Sequence, residues 1–145
     1  MRHAKSSWKD GSLSDHERPL NKRGRRDAPR MARMLERLGW IPSDAVVSTS
    51  VRTRETIELM LNELKATTIE YYSDLYHPNV PVLQGYVDRI IEGKTMLILT
   101  HNPACELIIE ALSGLDIVMP TAAIALFEKD DQGWALIKVL RPKEI

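Results

Sequence analysis

The sequence predicts an α/β fold, a three-layer α/β/α sandwich around a mostly parallel sheet. Three observations lead there. Short apolar runs alternate with segments of helical periodicity through most of the chain. The run Thr95–Thr100 is apolar enough to be covered on both faces, as parallel strands are. Only the C-terminal end shows two strand-like runs joined by a tight turn.

In order, residues 7–20 read as loop, because Ser7, Asp10, Gly11, Ser12, Ser14, Asp15 and Pro19 are dense in turn formers. A helix is expected to start between Asn21 and Gly24 and run to Leu38, with Ala28, Met31, Ala32, Met34, Leu35 and Leu38 at helical spacing. Pro29 falls in its first turns and Gly39 is its stop. Ala45–Ser48 is a strand. Thr49 or Ser50 caps a second helix reaching about Leu64, buried through Ile57, Met60, Leu61 and Leu64. Thr68–Tyr72 is a strand and residues 73–81 are loop. Val82–Glu92 is a helix ended by Gly93. After the strand Thr95–Thr100, Pro103 opens a helix that closes at Gly114. Ala122–Glu128 and Trp134–Leu140 form the hairpin, turning at Asp130–Gly133.

Length and composition narrow the function. At 145 residues the chain is expected to be one domain, residues 1–145. With 43% hydrophobic and 28% charged residues it reads as a soluble globular protein rather than a disordered one. No apolar run is long enough to span a membrane, and no apolar leader is visible. The single Cys105 excludes an internal disulfide and suits a reducing cytoplasm. Net charge is zero, but residues 1–37 hold eleven Lys/Arg against five Asp/Glu. That basic stretch either draws in an anionic substrate or is a solvated helix face. Nucleic acid is not an expected partner, because no aromatic residue interleaves with the basic ones after Trp8.

Three stretches carry chemistry. Arg2-His3 opens the chain, Arg52 follows the Ala45–Ser48 strand, and His101 follows the Thr95–Thr100 strand. Ligands bind at the carboxyl ends of strands in such sheets, so the latter two lie on the expected edge. A neutral imidazole can attack phosphorus and hold the phosphoryl group covalently. Arginine grips phosphate oxygens through a fixed fork of donors. His3 as nucleophile, with Arg2, Arg52 and His101 as a phosphate clamp, satisfies phosphoryl transfer without a metal or other cofactor. A cysteine phosphatase needs an arginine six residues after its cysteine, where Cys105 has Ala111. His3, His16, His77 and His101 are scattered rather than spaced for a metal, and no glycine-rich phosphate loop exists.

Arg-His followed by a small residue, then Ser48-x-x-x-Arg52-x-x-x-Thr56 after a strand, then a strand-terminal His101, resembles the histidine phosphatase superfamily, with its phosphoglycerate mutase-like fold. Arg2-His3-Ala4-Lys5-Ser6, and Asp15 to Gly24 ahead of the first helix, are similar to the small SixA-type phosphohistidine phosphatases. The resemblance implies that His3 is phosphorylated while Arg2, Arg52 and His101 bind phosphate. Arg18 is implied near the substrate, its alternative being a surface arginine. Asn102 either orients His101, donates to phosphate or caps the next helix. The implied substrate is a phosphohistidine on a protein or a small phosphate ester. A non-catalytic phosphate-binding domain on the same scaffold is the reading from another class.

Two departures from the family follow. The strand that normally leads into the Arg-His pair has no counterpart ahead of Met1, so a short apolar strand is expected upstream, and without it His3 would be poorly held. No obvious carboxylic acid stands between Arg52 and His101 to protonate a leaving group; Asp74 and His77 are the available groups.

Overall fold

A computed structural model describes residues 1–145. Strand β1 (Asp44–Ser48) lies between β2 (Thr68–Tyr72) and β3 (Met96–Leu99), all parallel. Strands β4 (Ile124–Asp130) and β5 (Gly133–Leu140) form the expected antiparallel hairpin. Period-2 alternation splits the helices into two layers. Ala45, Val47, Leu97 and Leu99 pack with helices α1 (Lys22–Leu38) and α2 (Val51–Met60) in the larger core. Val46, with Met96 and Ile98, faces the second core, which includes Leu83 and Tyr86 of α3 (Val80–Val87) and Ala104 of α4 (Ala104–Ser113). The sheet between two helical layers is the sandwich read from the sequence.

Local chemistry moves some boundaries. Asn21 caps α1 by accepting from the Gly24 amide at 2.9 Å, and Gly39 ends it in the left-handed conformation, φ 72°. Pro29 lies inside α1, past its first turn; it removes the donor to the carbonyl of the exposed Arg25. Helix α2 stops at Met60 rather than Leu64, although Leu64 still reaches the core through the following turn. Helix α3 begins at Val80, inside the stretch read as loop, because Asn79 accepts from the Val82 amide at 3.0 Å and Pro81 fits a first turn. It ends at Val87, short of Glu92.

His3 is firmly held, contrary to the expectation for a two-residue tail. Met1–His3 run as an extended segment between β3 and the chain entering β4. The Met1 nitrogen donates to Ile98 O at 2.8 Å, Thr100 N to Met1 O at 3.0 Å, and His3 N to Thr100 O at 3.1 Å. On the other side Arg2 N donates to Ala123 O at 3.0 Å and Ala122 N to His3 O at 2.9 Å. Three residues do what a strand end would do. Beyond Met1 no ladder joins β3 to β4, and their facing edges line a cavity of about 810 Å³ with apolar walls from Trp40, Ile91, Phe127 and Trp134.

That slot lies between the unpaired facing edges of β3 and β4. Joining an apolar five-residue leader ahead of Met1 should therefore raise the thermal midpoint by several degrees, at about 1 kcal/mol for each ladder hydrogen bond gained. An unchanged midpoint in calorimetry would show that the facing edges do not accept a strand.

Candidate active site

The Ser48-x-x-x-Arg52-x-x-x-Thr56 spacing welds three segments together. Ser48 ends β1, and Ser50 caps α2 by accepting from the Thr53 amide. Thr56, one helical turn after Arg52, accepts from the Ala4 amide at 3.1 Å and donates to Arg52 O at 2.7 Å, fastening α2 to the His3 segment. Ser48 Oγ lies 2.8 Å from His101 Nε2, and Arg52 Nη2 lies 3.3 Å from His101 Nδ1. Because β1 and β3 are neighbours, Arg52 and His101 reach one cleft, and the His3 and His101 rings stand 5.2 Å apart.

Hydrogen bonding fixes both imidazole tautomers. His3 Nδ1 lies 2.7 Å from Ala4 O, which can only accept, so the proton sits on Nδ1 and Nε2 keeps its lone pair. His101 Nδ1 accepts from Arg52, so its Nε2–H donates to Ser48. Both rings are buried, and burial is the main cause that lowers their pKa values, to about 4 for His3 and about 2 for His101. The charge of Arg52 adds to both shifts, and each imidazole is neutral at pH 7.

Of the expected site residues, His3, Arg52 and His101 converge. Arg52 is 4% exposed and also donates through Nη1 to Asp15 O at 2.6 Å and through Nη2 to Asp15 Oδ2 at 3.0 Å. Arg2 turns toward Met119 O at 3.0 Å, and its buried Nε has no partner. Asn102 shares that Met119 carbonyl at 3.1 Å and bonds Glu106 at 3.0 Å; it does not cap α4, whose first turn follows Pro103. Arg18 is 7% exposed, so it is no surface arginine. It donates to Asp15 Oδ1 at 2.9 Å, to Ser7 O at 3.1 Å and to Ser6 Oγ, with Trp8 stacked 3.3 Å from its guanidinium carbon.

Sequence reading missed the hub, Asp15. One carboxylate oxygen meets Arg18; the other meets Arg52 and the Tyr76 hydroxyl, the latter at 2.6 Å, with His77 Nε2 at 3.5 Å. The Tyr76 hydrogen bond is the main cause holding this carboxyl well below the usual range, with both arginines adding to it. Its spacing from Arg18 was a signal in the sequence, but only as a local i, i+3 pair; the Arg52 and Tyr76 contacts are long-range.

Comparison with known proteins gives the family. The model of the histidine phosphatase superfamily (branch 1) matches residues 1–92, which hold the Arg2-His3 pair and Arg52. The chain belongs to the histidine phosphatase superfamily. A chloroplastic protein of Arabidopsis thaliana is 32% identical across 92% of this chain, which spans 66% of that relative's length. The structure of SixA from Agrobacterium tumefaciens superposes with a TM-score of 0.89 at 26% identity, covering 98% of this chain and 95% of that one. The protein histidine phosphatase SixA in complex with tungstate shares the fold at a TM-score of 0.89, with 22% identity, 99% of this chain and 96% of that one. Membership of this superfamily supports phosphatase activity, the hydrolysis of phosphoryl groups.

Two outcomes follow from the buried imidazoles. Ser48→Ala strands the His101 Nε2–H without an acceptor and should cost about 1–3 kcal/mol, read by denaturant unfolding. Depressed histidine pKa values mean that the unfolded chain binds more protons below about pH 6.5. Stability should therefore fall as pH drops from about 6.5 toward 4, and the slope should flatten in His3→Gln and His101→Gln. Equal slopes for wild type and both variants in thermal unfolding would contradict the neutral pair.

Proposed function

We propose that the chain hydrolyses a phosphoryl group through a covalent phosphohistidine on His3 and that its substrate is a phosphohistidine on a protein. The observation carrying this reading is the His3 ring itself: buried, neutral, with Nδ1 anchored to Ala4 O and the Nε2 lone pair free. Such a ring is ready to attack phosphorus without first losing a proton. As the Nε2–P bond forms, the imidazole gains positive charge, and Ala4 O accepts the Nδ1–H that carries it.

Arg52, Arg2 and His101 are assigned to the phosphoryl oxygens. The guanidinium of Arg52 is fixed before substrate arrives, so little reorganisation is needed as charge develops. Arg2 still has an unpartnered Nε, and Asn102 an unpartnered Oδ1, beside the Met119 carbonyl they share. Arg18 acts on the phosphate-binding Arg52 through Asp15 rather than on the substrate directly. No metal or cofactor is required by this sequence of steps.

A protein substrate is supported by the cleft's mouth. Between Arg52 and His101 the chain builds only α2, β2, a short turn, α3 and β3, with no lid over the site. Asp15 and His77 are exposed at the mouth, so a side chain presented by another protein can enter. No helix is long and apolar enough to cross a membrane. The buried free thiol of Cys105 fits the reducing cytoplasm in which we place the protein.

Incubation with a phosphoramidate followed by intact mass and peptide mapping should find a phosphoryl adduct on His3. His3→Ala should abolish turnover of a phosphohistidine peptide, and His101→Ala should lower it about 10²–10³-fold. Near-native activity in His3→Ala would end this mechanism, and turnover of aryl phosphate but not of the peptide would end the protein-substrate assignment.

A further inference from the structure

We propose that His77 protonates the leaving group, positioned by Asp15 and by its own backbone; the proposal rests on the phosphatase reading above. Breaking the bond to phosphorus leaves an electron pair on nitrogen or oxygen, and a positioned acid lowers that barrier. The acid must stand at the mouth, where the remainder of the substrate lies, and must have a transferable proton.

His77 is placed for this. It is one of two non-glycine residues with a left-handed backbone, φ 50°, the other being Ala122. Side chains rarely adopt this conformation, and such residues gather at functional sites. The ring sits 4.0 Å from that of Tyr76 and 5.7 Å from that of His101, with Nε2 3.5 Å from Asp15 Oδ2. It is 58% exposed and so open to substrate. Asp15 from the Asp15–Glu17 turn, Arg52 from α2, His101 after β3 and the adjoining Tyr76 are the charged and titratable groups around it.

The rival groups are committed elsewhere. Asp74 turns to the Tyr86 hydroxyl at 2.5 Å. Asp15 is an ionised acceptor held by Arg18, Arg52 and Tyr76 and has no proton to give. His16 is bonded to Thr49 at 2.9 Å. His3 and His101 are buried and neutral.

In the step proposed, His3 Nε2 bonds to phosphorus and the bond to the leaving imidazole nitrogen, or ester oxygen, breaks. The leaving atom takes its electron pair and receives the His77 proton. Neutral His77 then accepts a proton from water as that water's oxygen bonds to phosphorus and the bond to His3 breaks. Phosphate departs, with His3 neutral and His77 protonated again.

The test is a series of aryl phosphates from dinitrophenyl to phenyl, comparing wild type with His77→Asn. Asparagine tolerates the left-handed backbone but carries no transferable proton. For dinitrophenyl phosphate kcat/KM should stay within about threefold of wild type, and for phenyl phosphate it should fall about 10²-fold or more, because only the poor leaving group needs the acid. A uniform loss along the series, or no loss, overturns the assignment. The His3 adduct is measured in the same samples: an adduct with a flat series removes His77 alone, whereas no adduct in wild type removes the phosphatase mechanism and this step with it.

Discussion

Everything in the cleft depends on how the backbone of Met1–His3 is held. This segment fills the join between β3 and the entry to β4, with hydrogen bonds on both sides, and Thr56 anchors the next amide. If it loosened, His3 would lose its place relative to Arg52 and His101, and the two halves of the sheet would lose their only bridge. The neighbouring helix is fitted to the same segment. Gly24 of α1 faces the Lys5 backbone so closely that a Cβ there would collide with it. The glycine serves close approach, not an unusual backbone angle.

The second constraint is charge. Burial lowers the pKa of His3 most, and Arg52, Arg2 and Arg18 each lower it further, so the cleft is basic yet His3 and His101 are uncharged. That combination suits an oxyanion and a neutral nucleophile together. Asp15 counterbalances two of the arginines and fixes where their donors point. One carboxylate thus satisfies a pair of buried cations and orders the mouth through Tyr76 and His77.

The mouth gives the site its breadth. The rings of His16, Tyr76, His77 and His101 form a continuous run of contacts from the rim inward. Trp8 is 72% exposed yet stacked on Arg18.

The sequence by itself determined the layers and the edge of the sheet that carries the chemistry. Strands β1 and β3 follow from short apolar runs, and Arg52 and His101 follow directly after them, so hydrophobic period and chain order are enough to bring both to one cleft. Helix α3 starts ahead of its apolar pattern because Asn79 capping and Pro81 act over a few residues and outweigh that pattern. Tertiary structure alone decided three things. It inserted Met1–His3 between two strands, since backbone pairing across about a hundred residues leaves no trace in local pattern. It joined Asp15 to Arg52 over 37 positions and to Tyr76 over 61. It also distinguished His77 from Asp74, two polar residues in one loop, by turning one into the cleft and tying the other to Tyr86. Periodicity reports which face a residue is on; which partner it meets there is set by the packing of segments far apart in the chain.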